Sequence, residues 1–174
     1  MRRKMHSAVN PYRPNEEIKV IDRRTVLGFV LAAIPASACA RTPKKPAQLT
    51  VYKSPYCGCC GAWVEHVKTS GLGTTVQELE DVTPIAKKLG VPDAMRSCHT
   101  AVTDGYFIEG HVPAADIRKL LRERPKARGI TVPGMPIGSP GMEQGDRRDA
   151  YDTLLVLADG SSRVFAKHNQ PTGR

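Results

Sequence analysis

Apolar and polar positions alternate through Leu49-Thr50-Val51-Tyr52, and this period of two predicts a strand from about Leu49 to Lys53. The pattern then changes. Trp63, Val64 and Val67 recur at helical spacing, so a helix is predicted from Cys59 or Cys60 to Ser70, stopped by Gly71. Thr74 to Leu79 reads as a second strand, and a short helix follows, with Thr83 as its cap, Pro84 in its first turn and Gly90 at its end. Strand, helix and strand at this length form a βαβ unit, with parallel pairing and a right-handed crossover. Thr100 to Thr103 and Tyr106 to Glu109 flank Asp104-Gly105, a strong hairpin signal. Pro113 opens a helix over Ala114 to Arg124 whose apolar face is Ile117, Leu120 and Leu121. A Gly/Pro-rich segment spans Gly129 to Gly145. Thr153 to Leu157 and Ser162 to Ala166 then flank Asp159-Gly160 as a C-terminal hairpin. The predicted fold class is α/β and thioredoxin-like: a βαβ unit, a hairpin and helix, a Gly/Pro/Met-rich loop and a last hairpin.

The first 40 residues read as a twin-arginine-like export signal rather than as part of the fold. Arg23-Arg24 precedes an apolar run from Val26 to Ile34, too short for a stable membrane span, and then Ala36-Ser37-Ala38. Cys39 follows directly and suits a lipidated cysteine, so membrane attachment is expected only if Cys39 is modified. Residues 41–48 form a Pro-rich linker, residues 49–168 the domain and residues 169–174 a frayed tail. Export implies a periplasmic location. At 174 residues and 40% hydrophobic composition, the chain holds one globular domain with a modest core. The net charge is +9, of which the leader contributes seven Lys/Arg against three Asp/Glu. The domain is therefore only mildly basic. No aromatic-interleaved basic patch or nucleic-acid motif is present, so a nucleic-acid partner is not expected.

The chemistry concentrates in Ser54-Pro55-Tyr56-Cys57-Gly58-Cys59-Cys60-Gly61. Three thiols lie within four residues at a predicted helix N-terminus, where partial positive charge favours thiolate. Cys57 and Cys60 have the C-x-x-C spacing of a redox pair. Cys59 is superfluous to such a pair and points to a soft metal ion instead. Cys98, just before the hairpin, is the one other cysteine of the mature domain. Its sulfur is expected within about 4–7 Å of at least one of Cys57, Cys59 and Cys60. Two disulfides, or one with a buried third thiol, are the alternatives in an oxidising compartment.

His111, between hairpin and helix, is a candidate ligand or a support for one. His99 is expected on the surface because neighbours on a strand face opposite ways. His66 is expected to be solvated and His168 exposed. Met135 and Met142 offer thioethers, which suit Cu(I), in a loop expected to face the cysteine turn with a cis bond before Pro136.

Four stretches together resemble a bacterial family of unknown function, number 411 in that series, to which CopG-type copper-resistance proteins belong. They are Tyr56-Cys57-Gly58-Cys59-Cys60, Ser97-Cys98-His99-Thr100, Glu109-Gly110-His111-Val112-Pro113 and Gly134 to Met142. The resemblance covers about Leu49 to His168. It implies a thioredoxin-like fold, export to the periplasm, a copper site on the cysteines and a part in Cu(I)/Cu(II) interconversion under copper stress. The metal set read from the chain is Cys57, Cys59, Cys60, Cys98, His111, Met135 and Met142, holding copper as Cu(I), with several ions bridged by sulfur. Copper ions, periplasmic copper chaperones and electron donors are the expected partners. The alternatives are a thiol–disulfide oxidoreductase using Cys57 and Cys60, and an iron–sulfur or zinc protein built on the four cysteines.

Overall fold

The computed structural model describes residues 46–171. The leader with Arg23-Arg24, Cys39 and most of the linker lie outside the described residues.

Leu49 and Val51 are fully buried on one face of β1 (Gln48–Lys53), as the alternation requires. The chain turns at Ser54-Pro55-Tyr56 into α1 (Gly58–Thr69) and returns as β2 (Gly73–Glu78), parallel to β1 with Leu49 opposite Thr74. Helix α2 (Thr83–Leu89) follows. Thr83 is not its cap. Val82 holds that position, and Asp81 Oδ1 accepts from the Thr83 N–H at 2.8 Å, doing the work expected of Thr83.

A hairpin of β3 (His99–Thr103) and β4 (Tyr106–Glu109) pairs antiparallel with β1. Asp104 and Gly105 both have positive φ, 48° and 85°, which is the backbone a two-residue hairpin turn demands. α3 (Ala114–Glu123) carries the chain across to β5 (Gly129–Thr131), parallel to β4. The hairpin of β6 (Tyr151–Val156) and β7 (Ser162–His168) completes a seven-stranded sheet of order β2-β1-β3-β4-β5-β6-β7. The βαβ unit and the hairpin-plus-helix stand in the order the thioredoxin-like reading requires. β5 was not anticipated. It is three residues long and sits inside a Gly/Pro-rich stretch, so it carries no periodic signal of its own.

Successive residues of β4 and β6 divide the core between the two faces. Ile108 and Leu155 join Trp63, Val67, Ile117 and Leu120 in the main core beneath α1 and α3. Phe107 and Val156 join Ala86 and Val91 in a smaller core beneath α2. The sheet therefore sits between two layers, and α1 is fixed by Trp63, which is fully buried and donates from Nε1 to the Val112 carbonyl at 2.8 Å. That anchor sets where the N-terminus of α1 points.

Candidate metal centre

Cys57 ends the turn after β1. Its N–H reaches Ser54 O at 3.2 Å, and its sulfur accepts from the Cys60 N–H at 3.3 Å, so Cys57 is the N-cap of α1. Cys57 and Cys60 are joined as a disulfide, while Cys59 and Cys98 are free thiols. Cys59 Sγ lies 3.5 Å from Cys57 Sγ and 4.0 Å from Cys98 Sγ. All four sulfurs fall within 4.8 Å of one another. The expected approach of Cys98 to the α1 turn is thus met by Cys59.

Cys98 stands just before β3, in a loop held from several sides. Ser97 N–H donates to Glu109 Oε1 at 2.7 Å, Thr100 Oγ1 donates to Glu109 Oε2 at 2.6 Å, and Ser97 Oγ donates to Gly134 O. His111 Nε2 is 3.1 Å from Cys98 Sγ. The other ring nitrogen, Nδ1, is 2.8 Å from the Pro140 carbonyl, which can only accept. That contact places the proton on Nδ1 and leaves the Nε2 lone pair facing the sulfur, the arrangement a metal-binding imidazole needs.

His99 departs from expectation. It is fully buried, with Nδ1 3.4 Å from Cys98 Sγ, its ring 4.4 Å from that of Trp63 and 5.0 Å from that of His111. The rule of alternating faces does not apply, because Cys98 precedes the strand that His99 begins. His99 Nε2 has no hydrogen-bond partner, and Cys98, His99 and His111 form a second group able to hold a metal.

His66 is also not simply solvated. It is half-buried and its Nε2 accepts from the Ala114 N–H at 3.1 Å, because the first turn of α3 packs over α1. His168 is not exposed either: it pairs with Asp116 Oδ2 at 2.8 Å and stacks on Tyr151.

The two methionines lie on the loop whose backbone, at Gly134 and Gly141, meets the centre. Met135 is 53% exposed and follows Gly134, whose carbonyl holds Ser97. Met142 is half-buried and follows Gly141, which is pressed against the backbone of Cys59 and Trp63. No cis peptide bond occurs among the described residues, so the bond before Pro136 is trans, contrary to expectation.

Burial governs the protonation of the centre. It pushes the Cys98 thiol up to about 12, with the neighbouring Cys59 adding to the effect. It lowers His99 to about 3 and holds His111 below the usual histidine value. Without metal Cys98, His99 and His111 are therefore neutral at pH 7, and an incoming cation must displace the Cys98 proton.

The donor set fits a soft ion. Two sulfurs bound to one metal at about 2.3 Å, the zinc–thiolate distance, lie about 3.8 Å apart in a tetrahedral site and about 4.6 Å apart in a linear one. The 4.0 Å between Cys59 and Cys98 falls inside that range without any movement.

Comparison with known proteins agrees with this chemistry. Residues 95–142 match the family described as "Protein of unknown function, DUF411". A solved structure described as copper resistance protein copG, form 2, is 48% identical, with a TM-score of 0.68 over 71% of this chain and 98% of that one. The chain belongs to the CopG-type DUF411 family. Form 1 of copG gives 47% identity and the same TM-score over 72% of this chain and 99% of that one. No curated protein matches. The DUF411 match spans Cys98, His111 and the Met135–Met142 loop, so three of the four stretches quoted from the sequence lie within it or overlap it.

Glu109 and Gly141 were missed as parts of the centre. Glu109 had a readable signal: it is the one charge in the run Tyr106 to Val112, which is otherwise uncharged apart from a histidine. Gly141 had none, because its role depends on which helix the loop meets.

Proposed function

We propose that this protein is a periplasmic copper-binding protein that holds Cu(I) on Cys57, Cys59, Cys60 and Cys98 and interconverts Cu(I) and Cu(II) under copper stress. The observation that carries the reading is the convergence of four cysteine sulfurs within 4.8 Å, with His111 Nε2 turned onto Cys98. Thiolates suit Cu(I), zinc and iron–sulfur clusters alike. The description of the copG relatives as copper resistance proteins favours copper. Four thiolates in this space offer bridging sulfurs, so more than one Cu(I) ion is proposed.

The disulfide links the metal reading to redox chemistry. Two electrons and two protons convert Cys57–Cys60 into two thiols, raising the free thiols of the centre from two to four. The oxidised centre retains two thiols and imidazoles, a smaller and harder donor set. A disulfide also suits the oxidising compartment that a twin-arginine leader implies. Tyr56, 86% exposed beside Cys57, offers copper chaperones or electron donors an apolar contact next to the disulfide. Attachment to the membrane would follow only from lipidation of Cys39.

The same disulfide supports a second reading, a thiol–disulfide oxidoreductase, since Cys57–Cys60 caps a helix N-terminus as redox pairs do. Anaerobic titration of the reduced protein with Cu(I), with bound metal counted by elemental analysis, separates the two. Copper binding that falls sharply in Cys59→Ser supports the copper reading. Wild-type copper binding in Cys59→Ser, with disulfide exchange abolished in Cys57→Ser, supports the oxidoreductase.

A further inference from the structure

Glu109 is 1% exposed, and a carboxylate so placed is costly unless its oxygens are engaged. Both are. Oε2 accepts from the Thr100 hydroxyl at 2.6 Å, and Thr100 is its direct partner across the β3–β4 ladder. That bond alone belongs to the hairpin. Oε1 reaches past the end of the ladder to the Ser97 N–H at 2.7 Å, on the loop that presents Cys98. The two bonds thus grip the residues on either side of the Cys98-His99 pair. The approach is tight: Gly110 next to Glu109 has φ +72°, and a Cβ there would lie 2.6 Å from Ser97 Cβ. A hairpin of this length is held by its backbone ladder and needs no buried carboxyl group. The second oxygen of Glu109 is turned onto the loop.

We propose that Glu109 is the positioning residue for Cys98, clamping Ser97 and Thr100 so that the fourth sulfur is held over Cys59. This deepens the copper reading, since it names the group that keeps the far wall of the centre in place, and rests on it for its purpose. The geometry itself involves no metal and is tested without one.

The test measures how strongly Cys59 and Cys98 are held together. In the full chain, Cys39→Ser, Cys57→Ser and Cys60→Ala leave Cys59 and Cys98 as the only thiols. The metal-free protein is equilibrated with glutathione buffers of graded potential. The fraction carrying the Cys59–Cys98 disulfide is read by mass after alkylation. The equilibrium constant reports the effective concentration of one thiol at the other. Glu109→Met keeps the length of the side chain and removes both oxygen acceptors. It is expected to lower the constant tenfold or more, with a circular dichroism spectrum like that of the parent. An unchanged constant in folded Glu109→Met overturns the proposal. If Glu109→Met does not fold, Thr100→Val removes one of the two bonds and is expected to lower the constant threefold or more. An unchanged constant there overturns the proposal equally. A failed Cu(I) titration of the wild-type protein would leave this result standing, and a failed clamp would leave the copper reading standing.

Discussion

Replacing Gly141 by alanine should loosen the centre from outside it. Gly141 has φ +82°, where a side chain costs about 1–2 kcal/mol. A Cβ there would also lie 2.7 Å from Cys59 O, 2.7 Å from Trp63 N and 3.2 Å from Trp63 Cα. Those atoms belong to the backbone of α1, which Trp63 anchors to Val112, so the helix cannot yield easily. Overpacking of this kind costs about 1–3 kcal/mol. Together the two effects predict a loss of about 2–5 kcal/mol if the loop stays seated. If the loop lifts instead, the loss is smaller, but the bond between His111 Nδ1 and Pro140 O breaks with it. Urea unfolding of Gly141→Ala should therefore show reduced stability, weaker Cu(I) binding, or both. Gly145→Ala is the control, because Gly145 has φ +52° but nothing within 4 Å of its would-be Cβ. It carries the backbone cost alone, about 1–2 kcal/mol. If Gly141→Ala matched Gly145→Ala in stability and the wild type in copper affinity, the loop would not be a wall of the centre.

Other consequences can be checked separately. His99 falls from 6.5 to about 3 on folding, so the native state favours its neutral ring; stability should be full above pH 6.5 and decline as the pH falls towards 3. Cys98 rises from 9.0 to about 12, so stability should also decline as the pH rises from 9 towards 12. Urea midpoints across that pH range, compared with those of His99→Phe, test the acid limb, and an acid limb unchanged in the variant contradicts the assignment. His168→Ala removes one of the two partners of the buried Asp116 carboxylate, leaving Thr153 Oγ1 at 2.6 Å. It should lower unfolding stability by about 1–3 kcal/mol, and an unchanged midpoint would show that pair to be incidental. The chain has one tryptophan, and its ring lies 4.4 Å from that of His99, tilted by 43°, beside Cys98. Copper entering the centre should quench its fluorescence in proportion to the metal bound, whereas constant emission at saturation would place the metal elsewhere.

The elements with strong periodicity or strong turns were legible in the sequence. The helix under Trp63, Val64 and Val67, the Asp104-Gly105 hairpin and the last hairpin all stand where patterning puts them. What failed was decided by tertiary contact. The tripeptide Gly129-Ile130-Thr131 is a strand because it adds to the edge of β4, and nothing within three residues announces that. His99 is buried because the chain bends between Cys98 and β3. His66 and His168 gain partners 48 and 52 residues away, at Ala114 and Asp116. The cysteines could be named from spacing alone. The carboxylate that grips their loop and the carbonyl that orients His111 could not.

The account turns on sulfur holding the metal. X-ray absorption at the copper edge of the reduced protein, loaded anaerobically with Cu(I), counts the neighbours of the metal directly. The prediction is a first shell dominated by sulfur at about 2.3 Å, near the metal–thiolate distance known for zinc, with a copper–copper distance where sulfurs bridge and a reduced sulfur count in Cys98→Ser. A shell of nitrogen and oxygen alone, or a sulfur count untouched by Cys98→Ser, would contradict it.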